Sequence, residues 1–331
     1  MKLIKAGLLA ASLLAFGGTA FAQGIDDPTR NPYYSSLKGK KVAYVPVAMG
    51  FDLTEGWAQG IRSAIEPLGM TFEVRDPNWS TDAGAQAITS LISEKPDVIV
   101  VHNPDVQSYA RLLKRAEDAG IHVIQINMRS SYSTDAFIGA DYVDMGEQMA
   151  GKLMGKCSPK NGGNGKVAII QGVLTAAASA YQMQGINNVF SKNPDMKVVS
   201  NQAADWDATK ARNIAATVLQ QNPDLCGIVG FWDVMDLGTG AAIRESGKSV
   251  YLITSGGGNQ AACDGLNNGT YSEVVSYDVP GQARDMATMI KQILQNKQKA
   301  GAVKTTLFSP LTFMTKDNIK PGSCWSLAAK K

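Results

Sequence analysis

Aromatic, amide and charged side chains follow the predicted strands of this chain at the places where the strands end. They are Phe51, Asp52, His102, Asn103, Asn127 and Arg129 in the first half, and Trp206, Asp207, Trp232, Asp233, Ser255 and Asp278 in the second. In open parallel sheets, ligands bind outside the carboxyl ends of the strands. Aromatic rings stack on the C–H faces of a sugar or polyol, and fixed polar groups hydrogen-bond its hydroxyls. The set therefore predicts binding of a small sugar or polyol.

Several of these residue types also have a structural interpretation. Trp57 lies on the apolar face of a predicted helix, which indicates a core position. Asp207 can cap a helix whose end Trp206 covers, or both can face a ligand. His102 and Asp52 would form an acid–base pair only if the fold brought them together. The sequence has no G-x-S-x-G, H-E-x-x-H or P-loop motif, so an enzyme is disfavoured and no metal or cofactor is expected.

Strands and helices alternate along the chain in two runs of similar size. Strands are predicted at 42–47, 71–74, 98–101, 123–126 and 136–139 in the first run, and at 167–170, 196–199, 228–231, 250–254, 274–276 and 311–314 in the second. Short connections between such elements predict parallel sheets wrapped by helices, because each crossover must return over a sheet face. The two runs predict an α/β fold of two Rossmann-like lobes.

The change from the first run to the second lies within residues 123–150. Gly139 to Asp141 is the expected first of several crossings between the lobes. We expect an N-terminal lobe of residues 41–139 plus 279–311 and a C-terminal lobe of residues 140–278 plus 312–331. A hinge made of several connecting strands would let the lobes close on a ligand.

The first 22 residues have the pattern of a cleavable signal peptide. Lys2 and Lys5 precede an apolar run at 6–16, and small residues then lead to a cleavage site after Ala22. A bilayer is crossed by roughly 20 apolar residues, so this run is too short for a membrane anchor. Residues 23–40 are polar and are expected to form an exposed leader. We therefore expect export to the periplasm.

The charges of the chain are balanced. The sequence has 32 basic and 29 acidic residues, and removal of Lys2 and Lys5 with the signal peptide leaves a net charge of +1. Because these charges are spread along the chain, they give no reason to expect nucleic acid or an anionic membrane as a partner.

All four cysteines, Cys157, Cys226, Cys263 and Cys324, lie in the exported part of the chain. An even number of cysteines in an oxidising compartment favours disulfides, and the absence of a CxxC pair disfavours a zinc site. Three pairings are possible. The pairing of Cys157 with Cys226 and of Cys263 with Cys324 is preferred here because it joins residues that flank strands.

Seven segments carry a resemblance to a known family. They are VAYVPVAMGFD with Trp57 and Gly60 after it, KPDVIVVHNPD, AGIHVIQIN, DYVDMGEQMAGKLMG, NPDLCGIVGFWDVMDLGTGAAI, NNGTYSEVVSYDVPGQA and LTFMTKDNI. In this order and spacing they resemble the periplasmic solute-binding proteins of sugar ABC transporters, of the ribose-binding, type I cluster. The resemblance covers nearly the whole mature chain.

The resemblance also implies which residues contact the ligand. Carried onto this chain, the ligand positions are Phe51, Asp52, Asn127, Trp206, Trp232, Asp233 and Asp278, with Arg129 and Tyr181 beside them. Asn127 stands where the family has an aspartate, and Trp232 stands where it has an asparagine. The arginine that the family has near Tyr181 is missing. Loss of a bidentate arginine and gain of a tryptophan argue against ribose itself and favour a polyol, a deoxy sugar or an unusual pentose.

The resemblance implies a non-enzymatic, monomeric periplasmic protein that delivers its ligand to a membrane permease driven by a separate ATPase, with a chemoreceptor as a further candidate partner. Two alternatives stay open: the same fold binding a signalling furanose or a nucleoside, and a secreted sugar-acting enzyme. An amino acid is disfavoured because its carboxylate requires a cation. The predicted signal peptide and the lack of an N-terminal DNA-binding helix pair exclude a transcription regulator.

Overall fold

The computed structural model describes residues 27–327, which form two α/β lobes, each built on a six-stranded sheet. The predicted signal peptide lies outside the described residues. Within residues 27–327, no helix is both long and apolar enough to cross a membrane.

The N-terminal lobe contains a fully parallel sheet in the order β11-β5-β4-β3-β1-β2. Its strands are β1 (Lys41–Val45), β2 (Thr71–Val74), β3 (Val98–Val101), β4 (His122–Ile126), β5 (Ala136–Gly139) and β11 (Thr305–Phe308). Its helices are α1 (Arg30–Leu37), α2 (Asp52–Ile65), α3 (Thr81–Glu94), α4 (Ala110–Asp118) and α10 (Val279–Asn296). All four residues of β3 are buried, as expected of a β-branched strand covered on both faces.

The C-terminal lobe contains a sheet in the order β12-β10-β9-β8-β6-β7. Its strands are β6 (Lys166–Gln171), β7 (Lys197–Ala203), β8 (Gly227–Gly230), β9 (Tyr251–Gly256), β10 (Glu273–Ser276) and β12 (Thr312–Met314). Its helices are α5 (Tyr142–Cys157), α6 (Ala177–Phe190), α7 (Ala208–Gln221), α8 (Asp233–Ser246) and α9 (Gln260–Asn267). Only the last strand departs from parallel pairing, since β12 runs antiparallel to β10.

The chain passes between the two sheets three times within the described residues. The passages lie between β5 and α5, between β10 and α10, and between β11 and β12. The first of them includes Asp141, whose side chain accepts hydrogen bonds from the backbone N–H groups of Val143 and Asp144 and so begins α5. Connections of this kind can act as a hinge about which two lobes bend relative to each other.

Residues 30–37 differ from the exposed leader expected from sequence. They form α1, and although most of this helix is exposed, Leu37 at its end is completely buried in the core of the N-terminal lobe. The polar composition of the segment concealed this contact because a single leucine gives no periodic pattern. Burial of Leu37 anchors the start of the fold before β1.

Both disulfides lie in the C-terminal lobe. Cys157 at the end of α5 pairs with Cys226 just before β8, with an S–S distance of 2.06 Å. Cys263 in α9 pairs with Cys324 near the end of the described chain, at 1.99 Å. This is the pairing preferred from the sequence. The second bridge ties the C-terminal segment to the C-terminal lobe.

Candidate functional site

A pocket with largely aromatic walls lies between the lobes, at the carboxyl ends of the strands. Phe51 and Trp79 line it from the N-terminal lobe, and Trp206 and Trp232 line it from the C-terminal lobe. The pocket contains about 390 Å³ of space free of protein atoms. This volume includes space that is open to solvent, so it is an upper limit on the room for a ligand.

The aromatic rings contact one another across the boundary between the lobes. Phe51 stacks on Trp79 with ring centroids 5.5 Å apart and an interplanar angle of 14°. The same Phe51 ring meets Trp232 at 5.5 Å and 67°, and Trp232 meets Trp206 at 6.3 Å and 83°. Because Phe51 and Trp232 belong to different lobes, the structure shows the lobes in a closed arrangement.

Local backbone geometry explains the positions of these rings. Phe51 and Trp232 are the extended residues that precede α2 and α8, so both rings project from the edge where helices begin. Trp206 adopts a left-handed conformation with φ of 65°. Its ring lies against Gly172, where an added Cβ would approach the ring to 2.1 Å. Only glycine at position 172 leaves room for Trp206 in this place.

The sequence-based set did not include Trp79. This residue follows β2, has a φ of 67° and remains 53% exposed, with its ring stacked on Phe51. An aromatic residue after a predicted strand was the signal that could have identified it, since Phe51 and Trp232 were found in that way. A large, half-exposed ring at the mouth of a pocket is typical of a binding surface.

Three polar side chains form a hydrogen-bonded group on the pocket wall. The hydroxyl of Tyr142, at the start of α5, donates to Oδ1 of Asn127 at 2.7 Å. The Nδ2 atom of Asn127 therefore faces Nε2 of His102, at 3.4 Å. In this arrangement Nε2 accepts, so the proton of the neutral imidazole resides on Nδ1.

His102 is neutral at physiological pH. It is 2% exposed, and burial lowers the pKa of its imidazole to about 3. The ring of Trp57 lies nearly perpendicular to the imidazole, at a centroid distance of 5.1 Å. The Nδ1 atom of His102 has no hydrogen-bond partner among the described residues. The group therefore offers uncharged donors and acceptors, which suit hydroxyl groups better than an ionic ligand.

Replacement of Tyr142 by phenylalanine tests the role of this group. The variant loses the hydroxyl that orients Asn127, so we expect the Kd of the ligand to rise about threefold to tenfold, as for loss of one hydrogen bond of about 1 kcal/mol. Calorimetric titration measures this change. Tyr44→Phe is the matched control, since its buried hydroxyl has no hydrogen-bond partner and does not line the pocket. Equal Kd values for both variants would show that the hydroxyl of Tyr142 has no part in binding.

Three residues considered from the sequence have structural roles outside the pocket. Asn103 was expected to bind the ligand, but it is fully buried, and its Nδ2 donates to Oε1 of Gln125 and to the carbonyl of Met128. These acceptors draw the Asn103 side chain into the N-terminal lobe. Asp207 caps α7 by accepting from the backbone N–H of Lys210. Trp57 is completely buried, as predicted.

Arg129 and Tyr181 meet beside the main pocket rather than within it. The guanidinium carbon of Arg129 lies 4.8 Å from the ring centroid of Tyr181, and both residues line a smaller adjoining cavity with Asn127. Arg129 follows β4 of the N-terminal lobe, and Tyr181 is in α6 of the C-terminal lobe. This cation–π contact therefore joins the lobes.

Asp52 and Asp278 also lie beside the main pocket rather than among its lining residues. The Oδ2 atom of Asp52 accepts from Nδ2 of Asn259 in the opposite lobe at 2.6 Å. Asp278 has a φ of 56° and caps α10 by accepting from the backbone N–H of Gly281. Asp52 and His102 have different partners, so the structure gives no acid–base pair.

Asp233 is the first residue of α8 and is 5% exposed. Burial raises the pKa of its carboxyl to about 7, and the nearby Asp236 and Asp52 add to the shift. No lysine or arginine lines the main pocket. Within residues 27–327, no group of three histidine, cysteine, aspartate or glutamate residues is arranged to hold a metal ion. The lining of the main pocket is therefore better suited to an uncharged molecule than to one with an acidic group.

Known proteins resemble this chain in both sequence and fold. Residues 42–298 match a family model described as a periplasmic binding protein domain. The ribose import binding protein of Bacillus subtilis is 25% identical over 258 residues, which cover 78% of this chain and 81% of that protein. The xylitol-binding protein of Mycolicibacterium smegmatis is 24% identical over 284 residues, which cover 85% of this chain and 78% of that protein.

A solved structure gives the same result for the fold. An ABC transporter solute-binding protein from Burkholderia graminis, in complex with D-arabinose, has a TM-score of 0.75 and 24% identity to this chain. The match covers 85% of this chain and 97% of that protein. The two-lobed architecture is therefore shared over almost the full length of that protein.

Proposed function

Because this chain belongs to the periplasmic binding protein family, we propose that it captures a small, uncharged sugar or polyol between its lobes and delivers it to an ABC permease. The family and the relatives of this chain are binding proteins of transporters rather than enzymes. The relatives named for ribose and xylitol, and the related structure with D-arabinose, support this ligand class.

The observation that carries the proposal is the set of aromatic rings from both lobes around one pocket. Phe51 and Trp232 meet across the lobe boundary at 5.5 Å, so a ligand placed between them would touch both lobes at once. A ligand with extra contacts to the second lobe favours the closed state by the free energy of those contacts. The C–H faces of a pyranose, a furanose or a polyol fit such ring faces, while Asn127 and His102 supply hydrogen bonds.

The charge of the pocket narrows the ligand class. Carboxylates and phosphates are usually bound by arginine or lysine, and neither residue lines the pocket. Arg129, the nearest expected candidate, is stacked on Tyr181 in the adjoining cavity. Sugar acids, sugar phosphates and amino acids are therefore poor candidates, and neutral sugars with few hydroxyls or with a methyl group are good ones.

A nucleoside is the second candidate because its planar base can stack on the same rings. Stacking of a base on an aromatic side chain contributes about 1 to 3 kcal/mol. The pocket is lined by seven aromatic residues, which are more than a single pentose can cover with its two faces; they are Phe51, Trp79, Tyr142, Trp206, Phe231, Trp232 and Tyr277. A nucleoside could therefore use more of this aromatic surface than a pentose.

The proposed partners are a membrane permease and its ATPase, with this protein acting as a monomer. The lobe surfaces on either side of the pocket would meet the permease in the closed state, so that only the loaded protein is recognised. A chemoreceptor that reads the same closed state is a further proposed partner.

A thermal-shift screen tests the proposal. We expect a neutral pentose, deoxyhexose or pentitol to raise the Tm, because a ligand that binds only the folded state stabilises it by about 2.7 kcal/mol at 100 times its Kd. The panel also contains nucleosides, sugar acids, sugar phosphates and amino acids. A shift with an acidic compound alone would contradict the proposed ligand class, and a shift with a nucleoside alone would favour the second candidate.

A further inference from the structure

The end of the described chain returns to the boundary between the lobes and is fixed there. Cys324 is bonded to Cys263 of α9, and the next residue is Trp325. The backbone N–H of Trp325 donates to the carbonyl of Gly258 at 3.1 Å, and its Nε1 donates to the carbonyl of Gly257 at 2.7 Å. One disulfide and two hydrogen bonds therefore hold Trp325 to the C-terminal lobe, in the loop after β9.

The ring of Trp325 reaches the N-terminal lobe. It lies against α2 at Gly56, where an added Cβ would be 2.6 Å from Cη2 of Trp325 and 2.8 Å from Cγ1 of Val279. The absence of a side chain at Gly56 leaves the space that the ring occupies. Trp325 is thus attached to one lobe and packed against a helix of the other.

A second contact between the same two elements lies close by. Asn259, which follows the loop that holds Trp325, donates from Nδ2 to Oδ2 of Asp52 at 2.6 Å. Asp52 is the first residue of α2, one helical turn before Gly56. The loop after β9 and the beginning of α2 therefore form one polar and one apolar contact across the lobe boundary.

We infer that Trp325 is a positioning residue that stabilises the closed state of the two lobes and thereby raises the affinity for the ligand. Trp325 does not line the pocket, so its effect is exerted through the equilibrium between open and closed lobes. Opening would separate the ring from α2 and return its apolar surface to water, which is unfavourable. Because ligand binds productively only when the lobes can close, the apparent Kd rises as the closed state becomes less populated. This inference rests on the proposed function.

The disulfide has a defined part in this effect. Cys324 is adjacent to Trp325, so its bond to Cys263 keeps the ring near the boundary and limits the entropy lost when the contact forms. Without the bridge, the two hydrogen bonds to Gly257 and Gly258 would have to hold the segment alone.

Two measurements on a series of variants test the inference. Single-molecule FRET follows the lobes directly, with dyes on unnatural amino acids at the exposed positions Asp118 of α4 and Gln220 of α7, which leave the disulfides intact. Stopped-flow binding of D-ribose, D-arabinose and xylitol gives association and dissociation rates. We expect Trp325→Ala to lower the ligand-free closed fraction about fivefold to tenfold and to raise the apparent Kd by a similar factor, mainly through faster dissociation.

Other variants separate this role from a general effect on folding. Trp325→Phe keeps a ring but loses the hydrogen bond to Gly257, so we expect an intermediate result. Gly56→Ala places a methyl group against the ring and should also favour the open state. Gly155→Ala is the matched control, since a Cβ there meets no atom within 4 Å. The double variant Cys263→Ser/Cys324→Ser should resemble Trp325→Ala with a smaller effect.

The outcomes distinguish this inference from the proposed function. A lower closed fraction in Trp325→Ala would support the inference even if none of the three compounds bound to the wild type, and that lack of binding would count against the proposed ligand class. A closed fraction and dissociation rate equal to those of the wild type would overturn the inference, even if the Tm fell, because a purely structural residue would change the Tm alone.

Discussion

Trp232→Ala is expected to weaken ligand binding by at least about 30-fold, equivalent to about 2 kcal/mol, because the variant removes the ring at the centre of the aromatic wall. Trp232 contacts Phe51 of the opposite lobe at 5.5 Å and Trp206 at 6.3 Å. Its loss removes a ring face on which the ligand can stack. It also removes the contact with Phe51 that the two lobes make in the closed state. Isothermal titration with the compound that gives the largest thermal shift measures the change.

A matched control shows whether the effect is local. Tyr34→Ala removes an aromatic ring that is 42% exposed on α1, outside the pocket, and should leave the Kd unchanged. Trp232→Phe keeps an aromatic face and is expected to retain most of the affinity. If Trp232→Ala bound the ligand as tightly as the wild type, with the same Tm, the assignment of the site to this aromatic wall would be wrong.

The second large effect concerns stability and pH. Asp236 is completely buried in α8, where its Oδ1 accepts from the hydroxyl of Thr239 at 2.8 Å and its Oδ2 accepts from the hydroxyl of Thr254 at 2.6 Å. Burial raises the pKa of its carboxyl from 3.8 to about 7. The folded protein therefore keeps the proton over a pH range in which the unfolded chain has lost it.

The sign of the effect follows from this difference. Below about pH 4 both states bind the proton, so Asp236 gives no pH dependence there. As the pH rises from 4 to 7, only the unfolded chain releases its proton, and the free energy of unfolding falls. A pKa shift of this size lowers the free energy of unfolding by on the order of 4 kcal/mol in total, and the decrease is complete above pH 7.

Asp236→Asn is expected to remove this pH dependence. The amide oxygen can accept from Thr239, and the amide nitrogen can donate to the hydroxyl of Thr254, so both hydrogen bonds have a counterpart. Urea unfolding should show a variant that is more stable than the wild type at pH 8 and similar to it at pH 4. Asp224→Asn is the control, since the pKa of this exposed carboxyl is held below its usual value by Lys166. If the difference in the free energy of unfolding between the wild type and Asp236→Asn were the same at pH 4 and pH 8, the carboxyl of Asp236 would not be protonated in the folded state.

The order of strands and helices was predictable because each depends on local patterns. Continuous β-branched residues identified β3, and residues spaced on one helical face identified α2 and placed Trp57 in the core. Strand β11 was missed, since its four residues are short, largely exposed and paired at one edge of the sheet. Its position depends on a parallel partner, β5, more than 160 residues earlier.

The site was predictable only in part. Phe51, Trp206 and Trp232 follow strands, and the rule for open parallel sheets placed them at one edge. Tyr142 could not be associated with Asn127 and His102 from sequence, because it begins a helix of the opposite lobe and meets them only in the folded chain. The burial of Asn103 depended on Gln125, which lies on a neighbouring strand. Trp325 reaches α2 only because a disulfide returns the end of the chain to the lobe boundary.

Titration of the wild-type protein with the neutral sugars and polyols of the screen, followed by NMR of the released compound, tests the central claim most directly. A protein that captures its ligand between two lobes should bind one molecule per chain, with a Kd of about 1 μM or below, and release it chemically unchanged. Binding of none of these compounds, or recovery of a bound sugar in altered form, would contradict the proposed function.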